Sequence, residues 1–469
     1  MTARLSQSEF SYRFPVVPGR MLVRLHFYSN SYNGHNASNA IFSVSAYNRL
    51  DTTKNRFSYL PGSFTLLRNF STFQTTYALN CAYIVMEYLI AVDGETLTIK
   101  FTPSTNSSNA YAFVNGIEVI SMPDIYYNDN GLKLVGQDSL IFIDNTTALE
   151  SVYRINVGGN DISPSGDTCL FRSWYNDQPY LYRETVGVTV TADPSKTIIS
   201  YPKDMSTYVA PENVYSTARS MGPNPQINKN YNLTWIFSVD VGFYYLVRLH
   251  FYEVQAAINQ INQRRFNIFL SNETAESGAD IIRWVKYKGV PVYKDYAVIV
   301  GGEGPQQDLW LALHPDLSEQ PQYYDAILNG VEIFKLSDTD DNLARANPIP
   351  SPKQNVVDPS KALPSTRAGN SNKHKAIIGG GVGEGLLVAL AIGFRVFAVS
   401  RHGKDHSPSD GPTWQLPNTT EAMHLPFLQT FAATFHLLRS KLPLKTLMRL
   451  YFLGWDVLAK CTRERLMAD

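Results

Sequence analysis

Two stretches of the chain alternate apolar and polar residues with the two-residue period of a β-strand. In VRLHFY at 23–28, Val23, Leu25 and Phe27 alternate with Arg24, His26 and Tyr28, which predicts a half-buried strand. In LTIKFT at 97–102, Leu97, Ile99 and Phe101 alternate with Thr98, Lys100 and Thr102. Asn115-Gly116 and Asn329-Gly330 sit between strand-like runs and predict tight hairpins. Few long segments carry a helical period. Short strands punctuated by Gly and Asn predict a mainly β chain built from antiparallel sandwiches or jelly rolls.

The pattern repeats. VRLHFY recurs letter for letter at 247–252. Thr2-Ala3-Arg4 matches Thr217-Ala218-Arg219, and Phe14 matches Phe237. LTIKFTPS at 97–104 matches LWLALHPD at 309–316, and NGIEVI at 115–120 matches NGVEIF at 329–334. Two copies of one fold are expected, over 1–137 and 138–336. The second copy opens near Tyr153 with YRINVGGNDISPSGD and FRSWYNDQPYL. Nothing before Thr2 corresponds, so the first copy is expected to be incomplete, with exposed strand edges.

A different pattern follows. Residues 337–375 are polar and carry Pro348, Pro350, Pro352, Pro359 and Pro364, the composition of an extended stalk. Residues 376–400, AIIGGGVGEGLLVALAIGFRVFAVS, are long enough for a membrane helix, which needs roughly 20 mostly apolar residues. Arg395 lies near the end of the span and can snorkel, whereas Glu384 lies deeper and is costly there. A buried soluble helix is the competing reading. Residues 401–469 then form a cytoplasmic tail. Six N-x-[ST] sequons precede the span, at Asn36, Asn69, Asn106, Asn145, Asn232 and Asn272. They place the N-terminal side outside the cell as a glycoprotein.

Composition narrows the function classes. The formal net charge is +0, so there is no basic field for nucleic acid. The 28 Tyr and 24 Phe suit a β-rich protein that presents aromatic surfaces. Cys81, Cys169 and Cys461 make no disulfide framework, and Cys81 and Cys169 are expected to be free and buried. No metal-ligand cluster or cofactor motif stands out. The opening MTARLSQSEFSYRF lacks a charged start followed by an apolar run, so no signal peptide is expected.

The tandem copies, VRLHFY, NGIEVI/NGVEIF, FRSWYNDQPYL, YVAPENVYSTARSMG and the AIIGGGVG opening of the apolar run resemble the plant malectin-like receptor kinases, in particular the FERONIA and ANXUR group. The resemblance covers about residues 1–414. It implies two tandem malectin-like β-sandwich domains, one membrane span, a plasma-membrane location and a cytoplasmic Ser/Thr kinase. It also implies a secreted peptide ligand bound with a GPI-anchored co-receptor, with pectin or another wall glycan as a further partner.

The sequence departs from that pattern after the juxtamembrane segment RHGKDHSPSDGPTWQLP at 401–417. No VAIK, HRD or DFG is present, so no kinase activity is expected of this chain. The apolar-basic residues 423–459 can be read as amphipathic helices on the inner leaflet. A sharper reading comes from the genetic code. TFHLLRSKLPLKTLMRL at 434–450 can be encoded so that the same bases, shifted by one, give FSFAEIKAATKNFDEA, similar to the family's kinase entry. A frameshift from about 417–434 onward is therefore expected.

Sugar binding in such a fold would use loop aromatics with Asn or Asp on hydroxyls. The candidates are Tyr126 and Tyr127 with Asn128 and Asp129, and Trp174 and Tyr175 with Asn176 and Asp177. The competing reading has Trp174 and Tyr175 filling the core. His26 and His250 lack partners at ligand spacing and read as strand residues. Three functions compete: a receptor-like ectodomain acting through partners, an ATP-binding Ser/Thr receptor kinase in an incomplete gene model, and a glycan-processing enzyme. The last needs two carboxylates about 5–10 Å apart, and no pair stands out.

Overall fold

Gly19–Tyr28 is the middle strand of one sheet in the first repeat. It pairs antiparallel with Tyr83–Val92 on one side and Gly116–Ser121 on the other. Opposite lies a four-stranded sheet in the order Phe10–Pro15, Thr96–Pro103, Ile41–Tyr47, Ser63–Ser71. Val23, Leu25 and Phe27 point between the sheets and pack with Phe42, Phe101 and Phe113. Burying each such side chain contributes about 1.5–3 kcal/mol. The computed structural model describes residues 2–47, 63–182, 187–193 and 198–348.

The second repeat copies this plan. Tyr244–Phe251 pairs with Val292–Ile299 and Gly330–Leu336. The facing sheet runs Leu233–Asp240, Gln306–Pro315, Phe266–Leu270, Glu273–Ala279. Val247, Leu249 and Phe251 pack with Trp235, Phe237 and Phe266 in its core. The sandwich architecture read from the alternation is present in both copies.

One strand joins them. Leu149–Asn156 runs antiparallel to Gly330–Leu336 along its length, and at its start it also pairs with Tyr83–Val92, as Leu149↔Leu89, Glu150↔Tyr88 and Ser151↔Glu87. The two copies therefore share one eight-stranded sheet. Leu89, Leu149, Leu246, Phe334 and Leu336 form an apolar seam, closed by Leu132 and Ile143 from the pair Asn128–Lys133 and Leu140–Ile143.

The Asn-Gly pairs do not make the expected hairpins. Ala112–Val114 belongs to one sheet and Gly116–Ser121 to another, so Asn115 marks a change of sheet. Its backbone N–H donates to His26 O at 3.0 Å, and its Oδ1 accepts the Tyr28 N–H at 2.7 Å. Asn329 repeats both bonds with His250 and Tyr252. Neither Gly116 nor Gly330 has a positive φ. Glycine is needed for close approach instead: a Cβ on Gly330 would lie 2.7 Å from Val214 Cγ1.

The polar face of VRLHFY also differs from expectation. In the second copy both faces are buried, with Arg248 1% and His250 0% exposed. Trp174, Val209 and Tyr215, from the long segment after Leu149–Asn156, pack over that face with Tyr252. Cys81 is free but half-buried, and Cys169, expected free, is disulfide-bonded. Among the described residues no helix is long and apolar enough to cross a membrane. The expected span at 376–400, most of the stalk and the tail lie outside the described residues.

Candidate recognition surfaces

The polar face of the shared sheet carries a ladder of charges across the seam. Arg24 Nε donates to Glu87 Oε1 at 2.5 Å, and Arg24 Nη1 to Glu118 Oε2 at 2.6 Å. Arg154 Nη1 donates to the other Glu87 oxygen at 2.6 Å, and Arg154 Nε to Glu332 Oε1 at 3.0 Å. The strand register produces this order, because Arg24 lies opposite both Glu87 and Glu118, and Arg154 opposite Glu332.

Each copy adds a histidine. His26 Nε2 lies 2.7 Å from Glu118 Oε1, and His250 Nε2 lies 3.2 Å from Glu332 Oε2. Burial pushes His250 below its ordinary value of 6.5, so at neutral pH the ring is uncharged. Its Nε2–H then donates to Glu332, and its Nδ1 accepts from the Tyr215 hydroxyl at 2.9 Å. Burial alone would raise Glu332, but the His250 bond and the Arg154 charge hold it well below the usual carboxylate range. The His26 bond brings Glu118 down to about 2. A general acid needs a raised carboxyl pKa, and these two move the other way. The ladder fastens the two sandwiches together.

In each expected aromatic pair one ring lies inside and one outside. Tyr126 is interior, which corrects its assignment as ligand-facing. Its hydroxyl donates to Glu332 at 2.9 Å and its ring lies 4.6 Å from that of Phe334. Trp174 is also interior, as the core reading had it. Its Nε1 donates to Asp167 at 3.1 Å, and its ring meets His250 edge-on at 5.5 Å. Asp177 is buried and holds Arg219 at 2.6 and 2.9 Å. Tyr127 and Tyr175, each directly following its buried neighbour, are exposed. All of Asn36, Asn69, Asn106, Asn145, Asn232 and Asn272 are exposed.

A cleft of about 370 Å³ was not anticipated. It is lined by Tyr182, Tyr231, Phe269 and Trp310 together with Asn232 and Asn272, so two sequons open into one aromatic hollow. The Tyr182 and Trp310 rings stand 5.1 Å apart. The available signal was Trp310 itself, which takes the outward phase in a strand whose Leu309, Leu311 and Leu313 point inward. Among the described residues no cluster of His, Cys, Asp and Glu is arranged to hold a metal.

Comparison with known proteins gives this geometry a family. The chain is 55% identical over 422 residues to the receptor-like protein kinase FERONIA of Arabidopsis thaliana, covering 89% of the chain and 45% of FERONIA. It is 41% identical over 419 residues to ANXUR1 of the same plant, covering 88% of the chain and 46% of ANXUR1. The chain thus spans about half the length of these relatives. The crystal structure of the plant receptor-like kinase FER superposes with a TM-score of 0.68 at 56% identity, over 75% of this chain and 86% of that one. A second structure, of FER with the plant peptide RALF23 and LLG2, gives 0.67 at 56% identity, over 75% and 87%. The malectin-like domain model matches residues 2–336, and the chain belongs to that family.

Proposed function

We propose that this chain is a cell-surface receptor-like protein whose malectin-like ectodomain recognises a secreted peptide together with a GPI-anchored co-receptor. The observation that carries the reading is the 56% identity to FER along the length solved with RALF23 and LLG2. Exposed Tyr127 and Tyr175 give the ectodomain aromatic contact points, and a wall glycan such as pectin is a second ligand class they suit. Residues 337–375 act as the stalk and 376–400 as the single span, which puts the sequon-bearing side outside the plasma membrane. In this reading signalling depends on partners of the ectodomain. The test is binding of a RALF-type peptide to the full chain on plant cells, with and without an LLG-type protein. Absence of any co-receptor-dependent binding, where FERONIA binds in the same assay, overturns the proposal.

A second reading keeps the same ectodomain but restores an ATP-binding Ser/Thr kinase. The out-of-phase FSFAEIKAATKNFDEA at 434–450 favours it. Sequencing the transcript across residues 400–469 decides: one base gained or lost restores the kinase frame, and an unchanged base order removes this reading.

A further inference from the structure

The chain does not leave the second repeat directly. After Gly330–Leu336, Asp338 folds a turn in which its Oδ1 accepts the N–H groups of Asp340 and Asn342, each at 2.9 Å. The following residues return to the first repeat and run parallel to Ser63–Ser71, the end strand of its facing sheet. The Thr65 N–H donates to Asp341 O and the Leu343 N–H to Thr65 O, both at 2.9 Å. Further along, the Asn347 amide stands in for a backbone. Its Oδ1 accepts the Ser71 N–H at 2.7 Å and its Nδ2 donates to Asn69 O at 2.8 Å. Gln74 Nε2 donates to Pro348 O at 3.1 Å. Leu343 fills part of the first repeat's core.

The same segment reaches the second repeat through Arg345. At the seam the fully buried Lys335 Nζ donates to Glu150 Oε2 at 2.6 Å and to Asp240 Oδ2 at 2.8 Å. Glu150 lies on the linking strand opposite Tyr88 of the first repeat, and Asp240 ends Leu233–Asp240 of the second. One ammonium thus serves two buried carboxylates, and Arg345 brings them a second positive charge. Burial alone would lower Arg345, but the carboxylates of Glu150 and Asp240 raise it above its ordinary value. Within 338–348 only Leu343 is fully buried, and the other contacts are polar ones at a sheet edge. A segment held in this way can open while both cores stay closed.

We infer that residues 338–348 are a strap with a docked and a released state, docked while the two repeats hold Glu150 and Asp240 together. On the proposed reading of the residues beyond 348 as a stalk, the strap passes a change at the seam to the membrane side. A ligand that moves one repeat against the other separates the two carboxylates, and Arg345 loses its seat. Each residue then released adds about 3.3–3.6 Å of reach to the tether. By reciprocity, a partner that captures the released strap loosens the seam.

The test is hydrogen–deuterium exchange of the full 469-residue chain in detergent, read peptide by peptide. Arg345→Gln is expected to raise exchange about tenfold or more in 63–71 and 338–348 together, while Tyr244–Phe251 stays protected. Asn347→Ala, at the first-repeat end of the strap, is expected to open the same two stretches, because they part as one unit. Asp240→Asn, on the second repeat, is expected to release the strap as well. It should add little when combined with Arg345→Gln, since both remove one interaction. Unchanged exchange of 338–348 in Arg345→Gln overturns the proposal, as does exchange that rises equally in every strand. Effects of Asp240→Asn and Arg345→Gln that multiply in the double variant overturn the coupling of strap to seam. Exchange within 338–348 is independent of whether 376–400 spans a membrane, so failure of the stalk reading shows separately, as loss of the chain from the membrane fraction.

Discussion

Arg154 and Glu87 meet at 2.6 Å across the seam between the two repeats. Arg154 lies on the strand that completes the second sandwich, and Glu87 on the strand that flanks the first. The same carboxylate holds Arg24 on its other oxygen. Opposite charges therefore alternate from the open edge of one sandwich into the interior of the other, in step with the backbone ladder.

Replacing Glu87 by Gln keeps the shape of this junction and removes its charge. Two guanidiniums with at most 6% side-chain exposure then face a neutral amide. Breaking a buried pair in this way costs about 3–5 kcal/mol. The denaturation midpoint should fall accordingly, and a loss below about 1 kcal/mol would refute the seam's dependence on the ladder.

Acid should destabilise the chain in two stages. Burial pushes His250 below its ordinary 6.5, so the unfolded chain binds the extra proton first and stability declines as pH falls below about 6.5. Glu118, at about 2, contributes stability that is present above its ordinary 4.5 and is lost as pH falls through about 2. Glu87 and Glu332, also held low, act in the same direction. Melting curves across this range check the order. If His250→Gln leaves the first decline unchanged, the histidine is not its source.

Much of this fold was legible in advance, and the failures have definite causes. The repeat was carried by VRLHFY and the NG motifs, because identical strands in identical sandwiches need identical alternation. The shared sheet was not legible. Nothing in LESVYRIN announces that one side pairs with Gly330–Leu336 and the other with Tyr83–Val92, since strand partners are chosen by tertiary closure. Asn115-Gly116 was misread because a sheet change and a hairpin favour the same residue pair for different reasons. Arg248 and His250 looked like a solvent face because alternation marks polarity, and a polar face can be buried when charge meets charge. Tyr126 and Trp174 sat in loop-like sequence, yet their Oη and Nε1 find carboxylates inside.

The two Asn-Gly motifs should tolerate alanine differently. A Cβ at Gly116 meets His26 Cδ2 at 3.4 Å, an ordinary contact with a half-exposed ring, whereas a Cβ at Gly330 lies 2.7 Å from Val214 Cγ1. Overpacking of the second kind costs about 1–3 kcal/mol. Gly116→Ala should stay within about 1 kcal/mol of the parent, helped by the reduced freedom of the unfolded chain. Equal midpoints for the two variants would contradict the covering role of the segment that carries Val214.

The cleft between Asn232 and Asn272 leads to a prediction about what fills it. Both asparagines are sequon positions on its wall, and Tyr182 and Trp310 stand 5.1 Å apart inside it. Aromatic faces take sugar rings well, so glycans attached at the rim should lie over Trp310 and withhold it from other ligands. Glycopeptide mass spectrometry of the chain from plant cells should find both positions occupied. Asn272 has φ +68°, a conformation asparagine accepts more readily than glutamine, so Asn272→Gln would confound glycan loss with backbone strain. Thr274→Val, at an exposed strand position, removes the sequon without that strain. In this variant hydroxyl-radical oxidation of the Trp310 peptide should rise several-fold while fully buried Trp235 stays protected. Unchanged Trp310 oxidation, with the Asn272 glycan confirmed as lost, would leave the cleft open to an outside ligand.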